Sequence, residues 1–253
     1  MIKDVIGAIA AAARKLFTNW GALLISFALY AALIAALYFF FTTREATILQ
    51  VVLGLGVLPI AAIFLFFTLQ AMGLSYVRIG VGPIYLLRRA LKDCWMLLLV
   101  SLPLILIAGL VIYFSGYAEA KLVTGAEHPR RWVEVTINWG RIVMLYFVLP
   151  LIAIHCWLAA GREGLVSAFR EFFRSIGRAF APRSVLIYVL VIAVFGAIAY
   201  FLFFTRTQAK DEWMDLWLFG ARLAAALVSV FLGWLLTLGA MAEMTARRVM
   251  SES

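Results

Sequence analysis

Charge is scarce in this sequence. Of its 253 residues only 14% are Asp, Glu, Lys or Arg, against about one in four in an ordinary soluble domain. Hydrophobic residues make up 66%. A soluble fold of this length has no interior large enough to hide them, so a soluble class is excluded. Cysteine is nearly absent. Cys94 and Cys156 stand outside any CxxC, so no metal or redox motif is present. A disulfide is not expected, since Cys94 falls at the face where thiols stay reduced. Catalytic signatures are missing as well. There is no phosphate-cradling loop, no HExxH, no GxSxG and no carboxylate pair placed for hydrolysis. His128 and His155 lie far apart in depth, and His128, beside Pro129, reads as a solvated loop residue. An enzyme acting on lipids still needs an acid, a base or a metal set. None can be assembled, so neither catalysis nor a cofactor or metal is expected.

What is present is a series of long uncharged apolar runs, each near the ~20 residues a helix needs to cross a bilayer. Six are legible: Trp20 to Phe41, Thr47 to Met72, Met96 to Phe114, Ile142 to Ala160, Val185 to Phe204 and Leu216 to Met241. The N-terminal segment is not read as a cleaved signal. Arg14 and Lys15 follow its alanines directly and lead into a full-length span instead of a polar chain.

Lys and Arg set the orientation. The N-terminus, Leu74 to Trp95, Gly161 to Ser184 and the C-terminus together hold about 14 of the 22 basic residues, and the opposite side about 8. Acidic residues divide nearly evenly. Both termini are therefore expected in the cytoplasm, with the chain in the cell's inner (plasma) membrane. The net charge of +9 points to anionic lipid headgroups on the cytoplasmic face. Nucleic acid is not expected as a partner, since there is no soluble basic domain to bind it.

Self-similarity suggests how the spans are organised. "IGAIAAAARKLFTNW" (Ile6 to Trp20) lies over "VGPIYLLRRALKDCW" (Val81 to Trp95), matching Gly7 with Gly82, Arg14 with Arg89 and Trp20 with Trp95. A third copy, "GLVSAFREFFRSIG" (Gly164 to Gly177), places Arg170 on Arg88 and Arg174 on Lys92. The expected fold is an all-α polytopic membrane protein. Its six transmembrane helices form three repeats of an amphipathic interfacial helix plus a transmembrane hairpin. The units are approximately 1–77, 78–161 and 162–253 within a single integral membrane domain. In the third copy Leu165, Phe169, Phe172, Phe173, Ile176 and Phe180 occupy one helical face. In the second, Ile84, Leu87, Leu91 and Trp95 do so. Such helices lie along the headgroups, rings down and guanidinium groups up, and the second copy is expected to turn into the bilayer near Trp95. The candidate headgroup-binding residues are Arg14, Lys15, Arg88, Arg89, Lys92, Arg170, Arg174 and Arg178.

Within the spans, Ala28, Ala32 and Ala36 form a small-residue ridge that suits close helix packing, and Gly220 and Ala224 repeat it. Pro59 and Pro150 each follow a Leu at matching places and are expected to bend their helices. Polar residues in the spans are a candidate intramembrane site. Gln50, Arg141 and Arg222 lie toward the outer ends, where Arg222 can snorkel or pair with Asp211 or Asp215. Gln70, His155 and Glu243 lie toward the inner ends, where Glu243 can pair with Arg247. The longest outer loop, Ser115 to Asn138, alternates Val133, Val135 and Ile137 with polar residues, the pattern of an extended piece.

The run "RRALKDCWMLLLV" (Arg88 to Val100), a basic amphipathic helix entering a span at Trp, resembles a loosely defined group of uncharacterised bacterial multi-pass membrane proteins. It is also similar to the membrane domain attached to some glycerophosphodiester phosphodiesterases. This sequence holds no soluble phosphodiesterase domain, so the resemblance implies an architecture and no activity or catalytic residues. Two functions remain. One is a non-catalytic membrane protein that organises lipids or partner proteins through its basic interfacial helices. The other is a transporter or channel-like protein for a small or lipidic substrate.

Overall fold

In the computed structural model, which describes residues 1–43, 47–77, 82–125, 131–205 and 211–252 (side chains of 122–125, 131 and 247–252 excepted), the regular structure is all helix. Six helical stretches are long and apolar enough to cross a membrane: Trp20–Thr42, Ile48–Ser75, Pro83–Lys121, Trp132–Glu163, Pro182–Phe204 and Glu212–Ala246. The chain is thus a multi-pass membrane protein. The sequence-derived spans lie within these helices to within a residue or so at each end. The residues compact into two units, 1–94 with 185–253, and 95–184.

Local chemistry decides where the basic helices end. Helix α1 (Ile2–Thr18) stops at Asn19, whose side chain accepts a hydrogen bond from the Ala22 N–H at 3.2 Å and so starts α2 (Trp20–Thr42). The position that the sequence alignment sets against Asn19 is Cys94, whose thiol donates back to the Leu91 carbonyl at 3.1 Å. Helix α5 accordingly runs unbroken from Pro83 to Gly125. The turn expected near Trp95 is not there: no glycine or proline interrupts the helix between Ile84 and Leu102, Asp93 pairs with Arg89 at 3.4 Å, and Ser101 Oγ donates back to the Leu97 carbonyl at 2.7 Å. At about 1.5 Å per residue α5 is roughly 65 Å long, about twice the thickness of the hydrocarbon core.

The second and fourth spans carry the same irregularity. In one, α3 (Ile48–Val52) passes through a π-helical turn, Leu53–Val57, into α4 (Leu58–Ser75). In the other, α6 (Arg131–Val143) passes through Met144–Val148 into α7 (Leu149–Glu163). Pro59 and Pro150 stand at the start of α4 and α7. The Leu58 N–H reaches back to the Leu53 carbonyl, and the Leu149 N–H to Met144. A proline has no N–H and its ring collides with the carbonyl four residues back. Widening the preceding turn to an i→i−5 pattern relieves that collision.

Two sequence expectations are overturned. Val133 to Ile137 is helical, within α6, where Thr136 Oγ1 donates to the Trp132 carbonyl at 2.8 Å. Five alternating residues are too few to outweigh the helix that runs on into α7. The described parts of Ser115 to Asn138 are likewise helix and not loop. Nor do the small-residue ridges pack as expected. Ala28, Ala32, Gly220 and Ala224 are exposed. Helix α2 instead buries Ala22, Ser26, Leu33 and Ala36, at intervals of four, seven and three, and it packs against α4.

The close helix approaches in the first unit use other glycines. Gly73 of α4 lies against Leu235 and Leu238 of α11 (Glu212–Glu252), and Gly239 lies against the ring of Tyr76. The Tyr76 hydroxyl donates to the Leu235 carbonyl at 3.1 Å. Gly233 meets Phe195 of α10 (Pro182–Phe204), where Ser229 Oγ donates to the Phe195 carbonyl at 3.0 Å.

In the second unit Gly164 separates α7 from α8 (Leu165–Arg170) at φ +85° and ψ 173°. Only glycine is at ease there. Gly164→Ala is expected to cost about 1–3 kcal/mol, read as a lower midpoint of unfolding in detergent, although nothing lies within 4 Å of the added methyl.

Candidate functional site

The basic helices share one construction. In α8 and α9 (Phe172–Ala179) the buried residues are small: Ala168, Ser175 and Ala179. These two helices pack on α7. The bulky residues face away from the protein: Val166, Phe169, Phe173 and Phe180 are all exposed, Phe173 by 84%. A break at Glu171, with φ −95° and ψ 12°, divides what reads in sequence as one helix. The Glu171 carboxylate then takes Arg174 at 2.8 Å and Arg178 at 3.3 Å. Arg170 is exposed and forms no ion pair among the described residues.

The start of α5 repeats the pattern. Leu86, Ala90 and Cys94 are buried, while Ile84, Leu91 and Trp95 are exposed. Arg88 and Lys92 are exposed, and Arg89 pairs with Asp93 at 3.4 Å. In α1 the buried stripe is Val5, Ala8, Ala12 and Leu16, set against α11, with Ile2, Ile6 and Phe17 exposed. Lys15 pairs with Glu243 of α11 at 2.7 Å, both side chains largely covered. Arg14 forms no ion pair among the described residues. The small stripes escaped the sequence reading because alanine and serine sit as readily on an exposed face as on a packed one. Their i, i+4 and i+7 spacing was the available signal.

The polar residues of the spans other than His155 find separate partners. Gln50 sits one turn into its helix and pairs with Thr47, whose Oγ1 lies 3.1 Å from Gln50 Oε1. Arg141 contacts Glu119 at 3.2 Å and Asn138 Oδ1 at 2.9 Å. Arg222 donates to the carbonyls of Thr205 and, at 3.2 Å, of Leu218. Both are backbone oxygens at helix ends. Gln70, 1% exposed, accepts from Trp234 Nε1 at 2.6 Å. Glu243 takes Lys15, and the side chain of Arg247 lies outside the described residues. His155 Nε2 is buried and has no hydrogen-bond partner among the described residues. Nearby in the same unit Trp157 Nε1 donates to Ser101 Oγ at 2.7 Å. Cys94 and Cys156 are buried thiols. His128 lies outside the described residues.

One apolar groove adjoins the third basic helix. Leu99, Leu102, Pro103 and Leu106 of α5 and Leu165 and Phe169 of α8 line an open groove of about 410 Å³. Among the described residues no cluster of three or more His, Cys, Asp or Glu has the geometry to hold a metal ion.

No protein-family model, characterised protein or solved structure matches this chain.

Proposed function

We propose that this chain is a non-catalytic inner-membrane protein that organises anionic lipids or partner proteins through three basic interfacial helices, with both termini in the cytoplasm. One observation carries this reading. Each basic helix packs one narrow stripe on the protein, small residues alone in α8 and α9 and small residues with Val5, Leu16 or Leu86 in α1 and α5, and leaves bulky apolar residues exposed beside its cations. An amphipathic helix at a membrane surface needs that combination: rings for the acyl boundary and cations for the phosphates. The expected repeat draws further support from the first two units, which share a π turn before Leu58-Pro59 and Leu149-Pro150, whereas α11 has no proline.

A transporter or channel-like role draws on those π turns, since such turns often accompany functional sites. It draws less from the polar residues. Gln50, Arg141, Arg222, Gln70 and Glu243 are engaged locally and with different partners.

The test is to change Arg170, Arg174 and Arg178 together to Gln. Helix propensity is nearly kept, and the charge that attracts headgroups is removed. Each cation near an anionic surface contributes about 1 kcal/mol before screening. Copurifying anionic lipid, measured by mass spectrometry, is expected to fall several-fold at low salt and less at high salt. Equal lipid content in variant and parent at low salt overturns the reading.

A further inference from the structure

The groove beside α8 gives the lipid reading a specific occupant. Its walls are apolar side chains throughout, four from α5 and two from α8. The α5 residues belong to the uncharged stretch Met96 to Phe114. With Trp95 at headgroup level, Leu99 to Leu106 lie roughly 6 to 16 Å further along the helix. One leaflet's hydrocarbon is about 15 Å deep, so the groove, about 10 Å long, spans roughly two thirds of the chain region of one leaflet. Water is a poor occupant, because an apolar cavity offers it no partners. The polar end of an occupant meets α8. Phe169 lines the groove, and the next residue, Arg170, is the exposed cation with no ion pair among the described residues. The neighbouring carboxylates are engaged. Glu171 holds Arg174 and Arg178, and Glu163 accepts from Ser167 Oγ at 3.0 Å. A headgroup there meets Arg170 as an exposed cation, while Glu171 is neutralised by Arg174 and Arg178.

We infer that this groove binds one acyl chain of an anionic glycerophospholipid from the bilayer, with the lipid's phosphate at Arg170. The inference rests on the lipid-organising reading and narrows it to one site.

The test uses the full chain in phosphatidylcholine vesicles carrying a trace of diazirine-tailed lipid, either phosphatidylglycerol or phosphatidylcholine. After photolysis the labelled peptides are mapped by mass spectrometry. The phosphatidylglycerol probe is expected to label 99–106 and 165–169 about fivefold more than the phosphatidylcholine probe, the equivalent of about 1 kcal/mol from one cation. Arg170→Gln should bring the two probes to equal labelling. Leu102→Trp, at a half-exposed position, should remove label from both segments and leave α10 labelled as before. Equal labelling by the two probes in the parent chain overturns the anionic assignment. Labelling of these segments no stronger than that of α10 overturns the site. Either result leaves the fate of the broader reading to the triple arginine variant, whose readout is total anionic lipid.

Discussion

Gly239→Ala is expected to lower stability by about 2 kcal/mol, although alanine is the better helix former. A Cβ at residue 239 would fall on the Tyr76 hydroxyl and 2.6 Å from the ring carbon that bears it. Tyr76 is 2% exposed and has no open side to move into. Displacing it breaks the bond from its hydroxyl to the Leu235 carbonyl. Overpacking costs about 1–3 kcal/mol and a buried hydroxyl left without its acceptor about 1–3 kcal/mol. The helix propensity gained returns about 1 kcal/mol. The measurement is a double-mutant cycle in detergent, with unfolding followed by circular dichroism. In a Tyr76→Phe background the hydroxyl is gone and Gly239→Ala should cost less. Strictly additive costs would show that this close approach does not hold α4 to α11.

Breaking the Lys15–Glu243 pair is expected to have the second large effect. The pair joins the ends of the sequence, with side chains 22% and 14% exposed. Removing one partner strands the other charge in a mostly covered place. A fully buried pair loses about 3–5 kcal/mol in this way, and partial exposure reduces the expectation to about 2 kcal/mol. Lys15→Met and Glu243→Gln should each release α1 from α11, seen as faster protease cleavage within α1 and a lower melting midpoint. The exchange Lys15→Glu with Glu243→Lys should recover most of the loss. Equal protease resistance in parent and single variants would mean that the stripe Val5, Ala8, Ala12 and Leu16 holds α1 by itself.

How much of this was legible in the sequence differs with the physics of each feature. Spans and helix class follow from length and hydrocarbon content. A long run without charge has few stable alternatives once its backbone must satisfy itself away from water. The basic helices were legible for the same reason, since charge and bulk alternate at helical spacing. Local stops were only partly legible. Asn19 announces a cap, but the lack of one at Cys94, which joins two expected helices into α5, is easily passed over. The π turns were visible only as Pro59 and Pro150. The prolines imply a disturbance, and the backbone around them selects its form.

Partner choice was not legible. Lys15 and Glu243 are 228 residues apart, and Glu243 has a closer candidate in sequence at Arg247. Which small residues face protein was equally hidden. Ala28 and Ala32 have the same spacing as a packing ridge and lie exposed, while Ala168, Ser175 and Ala179 are covered. In a membrane, apolar side chains gain little from leaving lipid for protein, so hydrophobicity cannot mark the packed face. The sequence by itself therefore determined that this chain is helical, crosses a membrane and carries three basic helices. Only the tertiary structure decided which stripe of each helix meets protein, because that choice is made by fit between surfaces and not by transfer out of water.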